Sequence, residues 1–274
     1  MSILAPAIFT VLHLFSGSGG LAKGFHDAGF TSAGNIDMDP RACIDLRNLC
    51  GTPAIEADIG AMGPAELLAL VPECPDVAAS SSPCVGFSGC LPEATSKTAK
   101  YQDFNSLALH GVWLLLEAWK GAKTGRKVPG MIVFENVPRI MTRGKKLLEH
   151  LVGLLHAEGY AVDMRTHDCG ELGRGIAQKR RRFLLVARHM PTGTDFLRKP
   201  PQYSPLAIRE VLWQLAPPRP GGPDHMHRLP SLSAKNWLRL ACICAGGDWR
   251  DLPAEVWIYH CESADLEVVT GIRW

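Results

Sequence analysis

The first two-thirds of the chain alternates short apolar runs with longer amphipathic segments. At this spacing, the alternation predicts βαβ units and a mostly parallel sheet covered by helices on both faces, which is an α/β fold. The predicted strands cover 9–15, 31–36, 54–57, 77–80, 131–134, 160–166 and 183–188. The predicted helices cover 21–28, 41–46, 64–70, 107–119 and 146–156.

After residue 190 the chain becomes rich in proline, which interrupts regular structure. The densest run is Pro217-Pro218-Arg219-Pro220-Gly221-Gly222-Pro223. We therefore predict a main domain over 1–190 and a second region over 191–274. Two helices are predicted in that second region, over 206–215 and 234–245.

Composition narrows the class of protein. The formal net charge is only +2, which still permits nucleic-acid binding because a local basic groove suffices. No run reaches the ~18–20 apolar residues of a membrane span, and the N-terminus lacks the basic start of a signal peptide. The nine cysteines are irregularly spaced, so we expect reduced thiols in a cytoplasmic protein, without a metal role.

A glycine-rich turn and two acidic residues follow the first three predicted strands. Gly17, Gly19 and Gly20 lie between a strand and a helix, where backbone N–H groups can approach a ligand closely. Asp37 ends the second strand and could accept ribose hydroxyls, and Asp58 follows the third and could take an adenine amino group. This layout favours an adenosine cofactor without pyrophosphate, for which S-adenosyl-L-methionine is the natural candidate. A plain turn and two helix N-caps are equally compatible with these residues.

Three further features lie next to later predicted strands. Cys84 lies in a small-residue turn after 77–80, and a thiolate there would be reactive beside cations. Glu135 ends an apolar strand, and desolvation would raise its pKa toward the range needed to share a proton with a ring nitrogen. Arg180 and Arg182 would point to one face if the chain is already extended there. Alternatively, the cysteine is a buried residue with a packing role only, and the glutamate is a carboxylate at a helix N-terminus.

Basic residues cluster twice, over 139–146 and over 179–182. Such runs are often no more than solvated faces. The cysteine, the glutamate and the arginine pair, taken together, suit one reaction, the addition of a methyl group to a carbon of a pyrimidine ring.

In order and spacing, these segments resemble the cytosine-C5 DNA methyltransferase family, from about Val11 to Arg188. The resemblance implies a Rossmann-like, S-adenosylmethionine-dependent methyltransferase fold, double-stranded DNA as partner and a role in restriction-modification. The segments that carry it are Leu14-Phe15-Ser16-Gly17-Ser18-Gly19-Gly20, Asp37-Met38-Asp39, Asp58-Ile59, Pro83-Cys84-Val85-Gly86-Phe87-Ser88, Asn105-Ser106-Leu107, Glu135-Asn136-Val137 and Gln178-Lys179-Arg180-Arg181-Arg182.

The resemblance also implies a role for each matched residue. Cys84 would add to C6 of a flipped cytosine, Glu135 would hold N3 and the exocyclic amine, and Arg182 would contact O2 with Arg180 in support. The implied cofactor-binding residues are Phe15, Ser16, Gly17, Gly19, Gly20, Asp37, Met38, Asp58, Ile59, Pro83 and Leu107. The implied substrate-binding residues are Ser82, Ser88, Asn136 and Gln178.

The chain departs from the family at several points. His13 stands where Asp is usual before Leu-Phe, and Val85 replaces the usual Gln. A closing Gly-Asn-Ser motif does not occur before Trp274, so 191–274 is expected to be a partial target-recognition region. A catalytically incomplete fragment that needs a second polypeptide, and an RNA cytosine-C5 methyltransferase, are therefore the alternatives.

Overall fold

A computed structural model of the chain describes residues 9–87, 92–96, 98–172, 177–189, 201–204, 206–216, 232–244 and 247–253. The strands are β1 (Thr10–Leu14), β2 (Thr31–Asp37), β3 (Ile55–Glu56), β4 (Val77–Ser80), β5 (Met131–Asn136), β6 (Tyr160–Asp168) and β7 (Arg181–His189). The helices are α1 (Gly20–Asp27), α2 (Pro40–Cys50), α3 (Pro64–Leu70), α4 (Glu93–Ser96), α5 (Ala99–Glu117), α6 (Ile140–Arg143), α7 (Lys145–Ala157), α8 (Cys169–Leu172), α9 (Ile208–Leu212) and α10 (Ala234–Ala241). Two 3-10 turns cover Val85–Phe87 and Trp249–Asp251.

The seven strands form one sheet in the order β3-β2-β1-β4-β5-β7-β6. The pairs among β1 to β5 are parallel, whereas β7 is antiparallel to both β5 and β6. The prediction of an α/β fold with a mostly parallel sheet is thus confirmed. The carboxyl ends of the parallel strands meet along one edge, where ligands bind in open α/β sheets.

The main core lies on the sheet face that packs against α3, α5 and α7. Leu12 and Phe134 from the strands are fully buried there with Leu115 and Leu151 from the helices. On the other face of the sheet, Val11 and Val133 pack against Leu21 and Phe25 of α1. Successive strand residues point to opposite faces, so the apolar strands can feed both cores.

Several element bounds differ from the predicted ones. Helix α5 begins at Ala99 rather than 107, and β5 continues through Asn136 instead of stopping at Phe134. Strand β7 begins at Arg181, which leaves Arg180 outside it. The short helices α4, α6 and α8 were not predicted, because one helical turn has no readable period.

The described residues divide into two compact units, one up to Val211 and the other from Leu212. In the second unit, α10 begins where the Ser233 hydroxyl accepts a hydrogen bond from the Asn236 N–H at 3.4 Å. The boundary predicted at 190/191 and the recognition role of 191–274 stay predictions. Among the helices in the described ranges, none combines the length and apolarity needed to cross a membrane.

Candidate active site

The turn after β1 relies on left-handed backbone conformations. Phe15, Gly17 and Gly19 have φ of 56°, 50° and 88°. Gly19 is also packed tightly, since a β-carbon there would lie 2.8 Å from Leu46 Cγ of α2. Only glycine meets both demands at low cost. The turn therefore brings the start of α1 close to the ends of β1 and β2.

Asp37 ties the glycine turn to the end of β2. One carboxylate oxygen accepts the Gly17 N–H at 2.7 Å, and the other accepts the Asp39 N–H at 2.9 Å. The Ser16 N–H donates to the Ile36 carbonyl at 3.0 Å. The Asp37 carboxylate, which is predicted to bind ribose, is therefore held by backbone N–H groups of the two turns. The next residue, Met38, is 65% exposed.

The third predicted cofactor contact is the loop after β3, which lies against α5. Asp58 accepts the Gly60 N–H at 2.8 Å, and a β-carbon on Gly60 would lie 2.9 Å from Leu107 Cδ2. Ile59 is buried in the main core. Beside Gly60 and Leu107 opens a cavity of about 520 Å³, whose other lining residues include His110, Trp113, His150 and Leu154.

Phe15 links the cofactor turn to the same helix. Its ring lies against Gly111 of α5, where a β-carbon would be 2.9 Å from Phe15 Cε2 and 3.4 Å from Ser80 Oγ. The absence of a side chain at Gly111 thus creates the space for the ring. Gly111 has no signal in the sequence, because a glycine inside a helical pattern carries no indication of what approaches it.

Cys84 and Pro83 are both half-buried in the turn after β4. The Ser81 N–H donates to the Leu14 carbonyl at 3.2 Å, and the Phe87 N–H donates to the Cys84 carbonyl at 3.0 Å. The first bond fixes the entrance of the turn to β1, and the second closes the 3-10 turn that follows the thiol.

Ser82 connects the cysteine turn to β5. Asn136 Nδ2 donates to the Ser82 carbonyl at 3.4 Å, and Asn136 Oδ1 accepts the Val137 N–H at 2.9 Å. The Ser82 hydroxyl is buried and has no hydrogen-bond partner among the described residues. Two predicted substrate residues, Ser82 and Asn136, are therefore in direct contact, whereas Ser88 lies outside the described residues.

Glu135 forms an ion pair with Arg182, with Oε1 and Nε 2.7 Å apart. Both side chains are about one-fifth to one-quarter exposed, at 24% and 20%. Burial raises the pKa of Glu135, and the charges of Arg182 and Arg180 oppose that rise. Burial is the larger effect, so the carboxyl group holds its proton more strongly than an exposed glutamate does.

Arg180 approaches this pair from outside the strand. Its N–H donates to Asp168 Oδ1 at 3.0 Å, and its carbonyl accepts the Cys169 N–H at 2.9 Å. Its side chain is exposed, as is that of Gln178. Arg180 lies just before β7, and its charge acts on Glu135 together with that of Arg182. The common face of the two arginines stays a prediction.

The predicted residues thus fall into two neighbouring groups at one sheet edge. The cofactor group follows β1, β2 and β3, and the catalytic group follows β4 and β5 and precedes β7. Asn105 and Asp168 are further polar residues in contact with these groups. Asn105 belonged to a recognised motif without an assigned role, and Asp168 had no sequence signal.

The strand order, the antiparallel β7 and the glycine turn define the fold of the Rossmann-like, S-adenosylmethionine-dependent methyltransferases. The family model described as C-5 cytosine-specific DNA methylase matches residues 9–229. The chain belongs to that family.

Individual comparisons agree with the family. The chain is 26% identical to the Type II methyltransferase M.NgoFVII of Neisseria gonorrhoeae, over 91% of this chain and 63% of that protein. It is 28% identical to the Type II methylase M.HgiDII of Herpetosiphon aurantiacus, over 93% and 69%. A prophage-encoded Escherichia coli protein shares the fold with a TM-score of 0.59 and 20% identity, over 75% of this chain and 54% of that one. The chain thus spans about two-thirds of the length of these curated relatives.

Proposed function

We propose that this chain is a DNA (cytosine-5)-methyltransferase of the restriction-modification type. It would transfer a methyl group from S-adenosyl-L-methionine to C5 of a cytosine flipped out of double-stranded DNA. The observation that carries the proposal is the half-buried Glu135–Arg182 ion pair, attached through β5 and Asn136 to the turn that holds Cys84. A methyltransferase for small molecules would need the glycine turn and the aspartates but would have no use for this set.

In the proposed reaction, the Cys84 thiolate forms a bond from Sγ to C6 of the base. The electron pair of the C5=C6 bond moves to C5, which becomes nucleophilic. Glu135 stabilises this state by placing a proton at N3, and Arg182 faces O2. The raised pKa of Glu135 supports that role, because a carboxyl group that binds its proton more strongly than an exposed glutamate shares it more readily with a ring nitrogen.

When bound, S-adenosyl-L-methionine would supply the electrophilic methyl group that C5 attacks, with a neutral thioether as the leaving group. The C5 proton then passes to a solvent base, the C5=C6 bond re-forms as the C6–S bond breaks to release the Cys84 thiolate, and the proton at N3 returns to the Glu135 carboxylate. Atoms and electrons balance without a further reactant. This covalent route is used because C5 of free cytosine is a poor nucleophile.

The residues present fit the cofactor. A β-carbon at Gly17 or Gly20 would meet no atom within 4 Å, so there is open space above the turn. The Ser16 hydroxyl is buried without a hydrogen-bond partner among the described residues, which is consistent with a ligand as its partner. Asp37 and Asp58 would hold the adenosine, and Phe15, Met38, Pro83 and Leu107 would contact it.

Methyl transfer tests this proposal. The purified, folded chain is incubated with labelled S-adenosylmethionine and mixed-sequence duplex DNA, and 5-methylcytosine is identified after hydrolysis of the DNA. Cys84→Ser is expected to reduce the rate by about 10³-fold or more, as loss of a covalent nucleophile does. Cys74→Ser is the matched control, because burial raises the pKa of that thiol to about 12.

Other outcomes separate the alternatives. Label in transfer RNA but not in DNA would contradict the DNA substrate and favour the RNA alternative. No label in either, with intact cofactor binding, would contradict stand-alone activity and favour a second polypeptide. Full activity of Cys84→Ser would exclude the covalent route.

A further inference from the structure

The turn after Cys84 is braced by α5 at Gly86. A β-carbon on Gly86 would overlap Asn105 Oδ1 and would lie 2.9 Å from both Asn105 Cγ and Nδ2. The carboxamide of Asn105 therefore lies directly against Gly86, two residues from Cys84. No side chain larger than hydrogen fits between them.

The environment of the Asn105 side chain is unusual for a polar group. It is only 7% exposed, and its Oδ1 has no hydrogen-bond partner within the part of the chain that the structure describes. A buried amide oxygen without a partner is costly, and native proteins rarely keep one without a reason. Such atoms occur where strain is stored or where a partner arrives with a ligand.

The next residue of the turn is held from a second direction. Phe87 is buried, and a β-carbon on Gly144, at the start of α7, would lie 2.7 Å from Phe87 Cε1. The turn thus has the Asn105 carboxamide of α5 on one side and an apolar contact at the start of α7 on the other. Apolar packing at Phe87 limits how far the turn can move, whereas the Asn105 carboxamide has hydrogen-bonding capacity left to use.

We propose that Asn105 is a positioning residue for Cys84. Its carboxamide braces Gly86, and its unpaired Oδ1 accepts a hydrogen bond from the backbone of the Cys84–Phe87 turn when base and cofactor are bound. This proposal rests on the proposed function, because it concerns the direction from which Sγ reaches C6. Attack on C6 must come from one face of the ring, and a displacement of about 1 Å can cost about 10²-fold in rate.

Formation of the covalent adduct measures this role directly. Mixed-sequence duplex DNA carrying 5-fluorocytosine traps the enzyme, because fluorine at C5 cannot leave as the proton does. With saturating S-adenosylmethionine, Asn105→Ala is expected to slow formation of the denaturation-stable adduct by about 10²-fold. The dissociation constant for the cofactor is expected to stay within about twofold, and kcat for methyl transfer is expected to fall without a matching change in KM for DNA.

A double-mutant cycle tests the contact itself. Gly86→Ala is expected to slow adduct formation too, because the new methyl group displaces the carboxamide. Combining it with Asn105→Ala frees that space, so the double variant should be faster than the product of the two single losses predicts. Gly153→Ala is the matched glycine control, since a β-carbon there meets nothing within 4 Å.

Each result has one meaning. No adduct with the parent chain refutes the proposed function rather than the role of Asn105. Parental adduct rates in Asn105→Ala or Gly86→Ala overturn that role, and so does an equal loss of cofactor affinity, which indicates general distortion. If Asn105→Ala does not fold, Gly86→Ala against Gly153→Ala decides the question alone.

Discussion

At the scale of single residues, the site depends on a carboxyl group that is kept from ionising easily. Glu135 lies one residue before the end of β5, where burial raises its pKa more than Arg182 and Arg180 lower it. An isolated surface ion pair would have the reverse effect. The same residue thus pairs with an arginine in the free protein and takes up a proton more readily than an exposed glutamate does.

His13 is a second buried titratable residue, and it gives a prediction about acid stability. It lies on β1, is 2% exposed, and its ring packs edge-on against Phe25 with centroids 5.3 Å apart. Burial lowers its pKa from 6.5 to about 4, and Asn35 partly opposes this. The unfolded chain therefore binds a proton between these values that the folded chain does not, so stability that is complete above pH 6.5 falls as the pH approaches 4.

The expected loss from His13 is about 2 kcal/mol between pH 7.5 and pH 5, since each pKa unit corresponds to about 1.4 kcal/mol. Urea unfolding at the two pH values measures it. His13→Gln should remove that part of the loss, whereas His26→Gln, whose side chain is 54% exposed, should retain it. An identical pH dependence in the parent and His13→Gln would contradict the assignment.

At the scale of elements, α5 connects the site to the core. Its first half carries Asn105 and Leu107 toward the sheet edge, and Gly111 makes room for Phe15. Just beyond its end, Trp119 is fully buried and its Nε1 donates to the Val71 carbonyl at 2.9 Å. The C-terminal end of α5 is therefore anchored in the core by Trp119, while its N-terminal half places Asn105 at the site.

We expect Trp119 to contribute more to the free energy of unfolding than other tryptophans near this end of α5. Trp119→Phe leaves the Val71 carbonyl unpaired and is expected to lower the free energy of unfolding by about 1–3 kcal/mol, while Trp119→Ala is expected to cost about 3–5 kcal/mol. Chemical denaturation followed by circular dichroism measures both. Trp113→Phe, at a position 37% exposed on the same helix, is the control and should change stability little. Equal effects at the two positions would refute the anchoring role.

The sequence predicted these elements well where the signal is local. Helix α3 and strand β4 have the predicted bounds, because proline and apolar runs mark them unambiguously. The start of α5 was missed because polar residues from Lys100 to Asp103 hide the helical period. The contact of Asn105 with Gly86 and the position of β7 between β5 and β6 are non-local, and no periodicity encodes which distant elements meet.

At the scale of the whole molecule, a nearly neutral chain must bind a polyanion if the proposed function holds. The net charge of +2 gives little long-range attraction. The fold compensates locally, because Lys179, Arg180 and Arg181 are all exposed beside the Glu135–Arg182 pair. Phosphate contacts from such residues would hold the duplex while the flipped base reaches Cys84.

Salt dependence of DNA binding tests this arrangement. Each phosphate contact contributes close to one unit to the slope of log K against log salt, so Lys179→Ala should reduce that slope by about 1 and weaken binding equally for all sequences. Lys127→Ala removes the same charge just before β5, at the opposite edge of the sheet, and should leave the slope unchanged. Titration of fluorescent duplex DNA between 50 and 200 mM salt, a range in which about 6–10 contacts change affinity by about 10³–10⁵-fold, measures both. Equal slopes for Lys179→Ala and Lys127→Ala would mean that only net charge affects binding. The DNA backbone would then not lie beside the residues that precede β7.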